Sequence, residues 1–75
     1  MKKEQYEGVS LEDELWLAKL SEEVGEVARA RVDAIRHPTM KRRHQRQVIK
    51  ELEHVEFIAR CFREDLQRRG YERTF

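Results

Sequence analysis

Apolar residues recur in steps of three or four along two stretches of this chain, and its single proline separates them. In the first stretch Leu11 opens the pattern. Leu20, Val24, Val27, Arg31 and Ile35 then follow at helical spacing, flanked by Trp16, Leu17 and Ala28, with Arg31 alone interrupting the stripe. Ser10 is the expected N-cap, with Asp13 three residues on in place of the commoner Glu or Gln. Pro38 ends the run. The residue before a proline avoids the helical region, so His37 is expected extended, residues 36–39 form a turn, and Thr39 caps the next element.

The second stretch, residues 40–69, contains no Pro or Gly, and Val48, Leu52, Val55, Ala59, Phe62 and Leu66 form an uninterrupted apolar seam. Gly70 suits a C′ position after the basic Arg68 and Arg69, leaving residues 71–75 as a short tail. Gly25, inside the first helix, weakens it by about 1 kcal/mol relative to Ala, or marks close approach of another backbone. Two long helices joined by a short turn predict an all-α antiparallel hairpin. Phe57, Ile58 and Cys61 widen the apolar face of the second helix beyond what one partner helix covers, and with Trp16 and Tyr6 they would form an unprotected patch. The simplest cover is a second copy. The expected assembly is therefore a homodimer that closes a four-helix bundle, or a homotetramer built by stacking two of them, rather than a monomer.

Composition reinforces that expectation. Seventy-five residues make one domain, residues 1–75, that struggles to bury enough apolar surface to offset the entropy of ordering it. With 16 Lys and Arg against 15 Asp and Glu, the net charge of +1 provides no global field for nucleic acid, so local patches must carry any such role. Cys61 is the only cysteine, which excludes an internal disulfide and suits a reducing cytoplasm, with an intermolecular bridge as the alternative. The N-terminus has positive charge but no apolar core behind it, and no uncharged run is long enough to span a bilayer. Neither a signal peptide nor a membrane anchor is expected.

The chemistry concentrates in two acidic segments. Residues three apart share a helical face, so Glu23 with Glu26, and Glu51 with His54, can each aim two ligand atoms at one point. At roughly 100° per residue both pairs fall near −60° and −120° from their apolar seams, at the shoulder that a neighbouring helix encloses. Carboxylates gathered there repel unless a cation sits among them, which points to a hard divalent metal, Mg2+ first. The competing reading is a solvated edge, because a chain that is 41% charged produces Glu pairs at helical spacing by chance.

The segments LAKLSEEVGEVARA and IKELEHVEFIARCF together resemble the MazG-like all-alpha nucleotide pyrophosphohydrolases, over most of both long helices. That family's pattern is EExxE, a spacer, then ExxD. Glu22, Glu23 and Glu26 match the first part, residues 27–50 the spacer, and Glu51 with His54 the second part with one departure. Lys19, Leu20, Gly25 and Val55 also stand where the family's usual surroundings place them. The resemblance implies hydrolysis of a nucleoside triphosphate to the monophosphate and pyrophosphate with Mg2+. It implies Glu23, Glu26 and Glu51 as ligands, Glu22 as the residue that orients or deprotonates water, and Lys19 as a phosphate contact. His54 in place of the acidic residue leaves three outcomes: Mn2+ or another transition metal is used, Glu53 or Glu56 completes the site, or catalysis is lost.

Lys41, Arg42, Arg43, His44 and Arg46 form the densest basic run, at the start of the second helix. It can hold a nucleotide's phosphates or a nucleic-acid backbone, or be a solvated first turn. The rival to the enzyme is thus a dimeric helical module that binds nucleic acid or protein without catalysis. Helix-turn-helix spacing is lacking and few aromatics are expected to be exposed for stacking on bases, which tells against nucleic acid.

Overall fold

The computed structural model describes residues 2–70. The chain runs through a 3-10 turn (Lys3–Gln5), helix α1 (Asp13–Arg36), a second 3-10 turn (Pro38–Met40) and helix α2 (Lys41–Arg68). α1 and α2 pack against each other as an antiparallel hairpin, and no strand occurs among the described residues. None of the described helices is long and apolar enough to cross a membrane.

The helix ends differ from expectation where long-range partners intervene. α1 starts at Asp13 with Glu12 as N-cap and no side-chain cap bond. Ser10 is diverted from capping because its hydroxyl donates to Asp65 of α2 at 2.7 Å. His37 leaves the helical region, as the residue before a proline should, but with φ −126° and ψ 70° it stops short of the extended conformation expected. Pro38, however, starts a 3-10 turn that feeds straight into α2, so Thr39 sits inside that turn and Met40 occupies the N-cap without a side-chain bond. Gly70 follows the C-cap Arg69 with φ +87°, the left-handed C′ conformation that a side chain would strain, and its N–H bonds to the Gln67 carbonyl at 3.1 Å. A Cβ on Gly25 would meet nothing within 4 Å, so among the described residues no other segment's backbone approaches it closely. The expected tail, residues 71–75, lies outside the described residues.

Both helices are rotated relative to their apolar stripes. α1 buries Trp16, Glu23, Ala30 and Ala34, while Val24 and Ile35 are 51% and 63% exposed. With Leu20 at zero, the buried set centres near −50° and the exposed Leu17, Val24, Val32 and Ile35 lie roughly between +40° and +120°. α2 buries Glu51, Phe57, Ile58, Cys61 and Asp65, and exposes Ile49, Leu52 and Ala59. Two causes set this rotation. Ala30 and Ala34 let the helices approach at one end, and paired carboxylates take buried positions that an apolar count assigns to aliphatic residues.

The expectation that Phe57, Ile58 and Cys61 need a second copy is overturned. The segment before α1 folds back over them: Trp16, Phe57, Ile58 and Cys61 form the core cluster, and Tyr6, Val9, Leu11, Leu20 and Phe62 pack around it. Trp16 stacks on Phe62 at 5.7 Å between ring centroids, and Lys3 and Arg60 each sit 5.3 Å from the Phe57 ring centre. Cys61 is 2% exposed, which removes it from the surface where an intermolecular disulfide would form.

Asp65 fastens this arrangement. Its fully buried carboxylate accepts from the Ser10 hydroxyl, from the Leu11 backbone N–H at 3.1 Å and from the Trp16 indole Nε1 at 2.8 Å, with Arg69 at 3.3 Å. One side chain of α2 thus holds the N-terminal segment, the approach to α1 and the largest core residue. The hydrogen bond from Ser10 leads in lowering the Asp65 pKa, joined by Trp16, Leu11 and the Arg69 charge against the opposing effect of burial, to about 2 from 3.8.

A folded-state pKa below the unfolded one means that this stabilisation is complete above about pH 4 and drains away as pH falls toward 2. Thermal melts between pH 2 and 5 should show that acid loss in the wild type and a flatter profile in Asp65→Asn. Asp65→Ala, which strands three donors, should lower Tm at pH 7 by more than about 10 °C.

Candidate metal centre

Helical geometry brings the two acidic segments to one point. Glu23 and Glu26 are one turn apart on α1, Glu51 and His54 one turn apart on α2, and one ligand atom from each lies within 4.8 Å of all the others. Around a divalent ion with bonds of about 2.1 Å, opposite ligands sit roughly 4.2 Å apart, so small side-chain shifts would close the set on a cation. The cluster floors an open cavity of about 440 Å³ lined by Lys19, Glu22, Glu23, Glu26, Lys50, Glu51 and His54.

Each ligand candidate is held. Lys19 Nζ lies 3.1 Å from Glu23 Oε1 and 3.6 Å from Glu22 Oε1, with the Tyr6 ring centre 5.4 Å away. Burial alone would lower the Lys19 pKa, but Glu23, Tyr6 and Glu22 outweigh it and keep the ammonium charged. Gln47 donates its amide to Glu51 Oε1, which leaves Oε2 facing His54 Nδ1 at 3.3 Å. His54 Nδ1 is 3.6 Å from Glu23 Oε2, too long for a hydrogen bond.

Glu23 Oε2 is the anomaly. The residue is 2% exposed, and this oxygen has no hydrogen-bond partner. An unsatisfied buried carboxylate oxygen costs free energy unless something positive meets it, and this one lies 3.6 Å from the His54 Nδ1 of the same cluster. The crowding also shows in proton affinity. A shared hydrogen bond with Glu51, then desolvation, then the charges of Glu23, Glu51 and Glu22 raise the Glu26 pKa above its ordinary value. Burial would raise Glu51 as well, but hydrogen bonds with Glu26, Gln47 and His54 prevail and lower it, so the two neighbouring carboxyls are pushed in opposite directions. These are acceptors placed where a cation could offset their mutual repulsion. The donor set therefore fits a divalent metal.

Other expected participants divide. Glu22 and Lys19 line the cavity. Lys41, Arg42 and Arg43 do not: with Pro38, Thr39, Met40 and Arg46 they line a separate open cavity of about 630 Å³. Ten residues of α2, about 15 Å, separate Lys41 from Glu51, because the helix that carries the basic run also carries it away from the carboxylates. Glu53 and Glu56 are exposed and absent from the cavity lining, so neither completes the ligand set in place of His54. Sequence reasoning missed Lys50 and Gln47. Their signal was present, since each stands four residues before a ligand candidate, His54 and Glu51.

Glu26→Gln should separate metal binding from folding. A carboxyl whose pKa is raised in the folded state is destabilising when ionised, so the neutral amide should raise the metal-free Tm at pH 7 by a few degrees, about 2–5 °C. The same variant should lose most of any Tm gain produced by divalent cations in differential scanning fluorimetry.

Comparison with known proteins found no matching family model, no matching curated protein and no matching solved structure.

Proposed function

We propose that this protein is a metal-dependent nucleoside triphosphate pyrophosphohydrolase of the MazG-like type, which converts a nucleoside triphosphate to the monophosphate and pyrophosphate. One observation carries the reading. The residues that match EExxE and the second acidic pair meet around a single cavity, with a buried, unpartnered Glu23 oxygen in the cluster and two lysines at its rim.

Glu23, Glu26, Glu51 and His54 would hold the divalent cation; the carboxylates alone favour Mg2+, before the His54 nitrogen is counted. A bound cation would neutralise the triphosphate and lower the pKa of attacking water. The chain's own residues supply the rest. Lys19 and Lys50 bind phosphate oxygens at the cavity rim, and Glu22, exposed and steered by Lys19, orients the water and accepts its proton. Water is added across the bond between the alpha and beta phosphates, one oxygen going to the monophosphate and pyrophosphate leaving. The compartment that fits the lone, buried thiol is the cytoplasm.

The working unit is a homodimer, and the face that supports it is not the one the sequence suggested. Leu17, Val24, Val32 and Ile35 of α1 lie about 120° round from the side that meets α2, and Ile49 and Leu52 of α2 are displaced in the same rotational sense. In an antiparallel pair these displacements bring both sets to one side of the hairpin, where Arg31, Ala34, Val48 and Ile49 share a groove. A radius of gyration of 15.0 Å, against about 11 Å for a compact domain of this length, describes a rod with too little interior of its own. Apolar faces of two such rods laid together make a four-helix bundle, which can stack into a tetramer.

A second reading rests on the basic cavity at the start of α2. Lys41, Arg42, Arg43 and Arg46 are exposed there, no acidic residue lies in the first turn, and no carboxylate lines the cavity. That arrangement suits a nucleic-acid backbone or an acidic protein bound without catalysis.

Purified protein given a panel of canonical and modified nucleoside triphosphates with Mg2+ or Mn2+ should release pyrophosphate, and Glu26→Ala should abolish release. Folded wild-type protein that releases none with either metal, yet binds oligonucleotides in a salt-sensitive way, would replace the enzyme with the binding module. Sedimentation equilibrium should report a dimer or tetramer for the wild type. Leu52→Glu, which puts a charge on the apolar face but outside the metal cluster, should shift it to monomer.

A further inference from the structure

We infer that His54 turns the carboxylate cluster into a site that selects a first-row transition-metal ion such as Mn2+ or Co2+ over Mg2+. This rests on the proposed reading of the cluster as a metal centre and adds the identity of the ion.

The first argument is where His54 points. Its Nδ1 is aimed inward, 3.3 Å from Glu51 Oε2 on its own helix and 3.6 Å from Glu23 Oε2 across the helix interface. The latter oxygen is the buried one without a hydrogen-bond partner. A histidine that merely decorated the edge of the hairpin would turn its ring to solvent. Here it occupies one of four positions from which ligand atoms lie within 4.8 Å of each other.

The second argument is charge. Mg2+ is held by charge and by oxygen ligands in octahedral geometry, sheds its water reluctantly and gains little from imidazole. The three carboxylates of the cluster and Glu22 in the cavity wall supply up to four negative charges, while Lys19 sits 3.1 Å from Glu23 and Lys50 lines the same cavity, so two ammonium groups offset about half of that attraction. The fourth position adds a neutral nitrogen rather than a fourth carboxylate. Glu53 and Glu56, the nearest acidic alternatives on α2, are exposed and do not line the cavity. Net electrostatic attraction is therefore modest, and nitrogen ligation decides the outcome. Imidazole strengthens binding along the series from Mn2+ to Co2+ and Zn2+ and does little for Mg2+.

The third argument is preorganisation. Gln47 holds Glu51 Oε1, which aims Oε2 at His54, while Lys19 holds Glu23 Oε1 and leaves Oε2 to the cluster. Each of these carboxylates thus offers one oxygen to the ion with the other already engaged, the pattern by which outer partners orient metal ligands.

The test reads metal binding without reference to turnover. Free Mn2+ is followed by electron paramagnetic resonance as the full-length wild-type protein is titrated, with Mg2+ added as competitor. Tm is recorded in parallel with Mg2+, Mn2+ and Co2+. The wild type should bind Mn2+ and need at least a tenfold higher concentration of Mg2+ than of Mn2+ to displace half of it. His54→Asp, which supplies an oxygen ligand and a charge, should reduce that ratio at least tenfold. His54→Gln, which supplies an oxygen without the charge, should reduce it in the same direction and guards against a fold that does not accept the extra carboxylate. Equal competition by Mg2+ in the wild type, or a ratio unchanged in both variants, overturns the inference while leaving a metal centre in place. Folded wild-type protein that binds none of the three ions overturns the metal centre and the inference together.

Discussion

The carboxylate of Asp65 is the constraint from which the rest of the geometry follows. It is fully buried, accepts from a hydroxyl, a backbone N–H and an indole N–H, and all three donors lie 49 to 55 residues away in the chain. Fixing Trp16 of α1 against Asp65 of α2 settles both the register and the rotation of the hairpin. Glu23 lies seven residues on from Trp16, and His54 lies eleven residues back from Asp65. Seven and eleven residues are close to two and three whole turns, so each returns to the same face within about 20°. A latch made at one end of the hairpin is thereby repeated as a cluster of ligand atoms in the middle.

Much of this was legible in the sequence, and the part that was not has a physical reason. Helical spacing and a single proline identified two long helices and their hairpin, and spacing of three residues identified the pairs Glu23 with Glu26 and Glu51 with His54. The rotation of the helices was misread because an apolar stripe treats every carboxylate as an outward-facing residue. Asp65, Glu23 and Glu51 break that rule, each buried because partners elsewhere satisfy at least part of it. The donors to Asp65 stand 49 to 55 residues away, outside any local window, whereas Lys19 and Gln47 stand only four residues before Glu23 and Glu51 in a spacing that does not by itself signal burial. The same limitation hid the role of residues 6–11, whose few apolar side chains form no periodic pattern yet cover Phe57, Ile58 and Cys61. Lys50 and Gln47 were missed for a simpler reason: each stands four residues before a ligand candidate, but on a heavily charged helix that spacing is too common to single them out.

The two ends of the hairpin treat buried charge in opposite ways. At Asp65 donors outnumber lone acceptors and the carboxylate is comfortable as an anion. At the centre three carboxylates crowd one another, Glu26 resists ionisation, and one oxygen of Glu23 goes without a partner. In a chain with so small a core, an unsatisfied group of this kind reduces a stability that is already slender. The satisfied end supports the frustrated one, which is the division expected when a fold holds a binding site in place before its ligand arrives.

α1 also shows how little of this protein is free to change. One side of the helix meets α2, the adjoining shoulder carries Glu23 and Glu26, and the side beyond Leu20 bears Leu17, Val24 and Ile35. About a fifth of its circumference, the strip between Val32 and Glu22 that includes Ala18, Gly25, Arg29 and Arg36, has none of these duties. Neutral drift in lineages descended from this chain should therefore accumulate along that strip. Divergence would write itself as a single line down one helix, leaving its other faces nearly fixed.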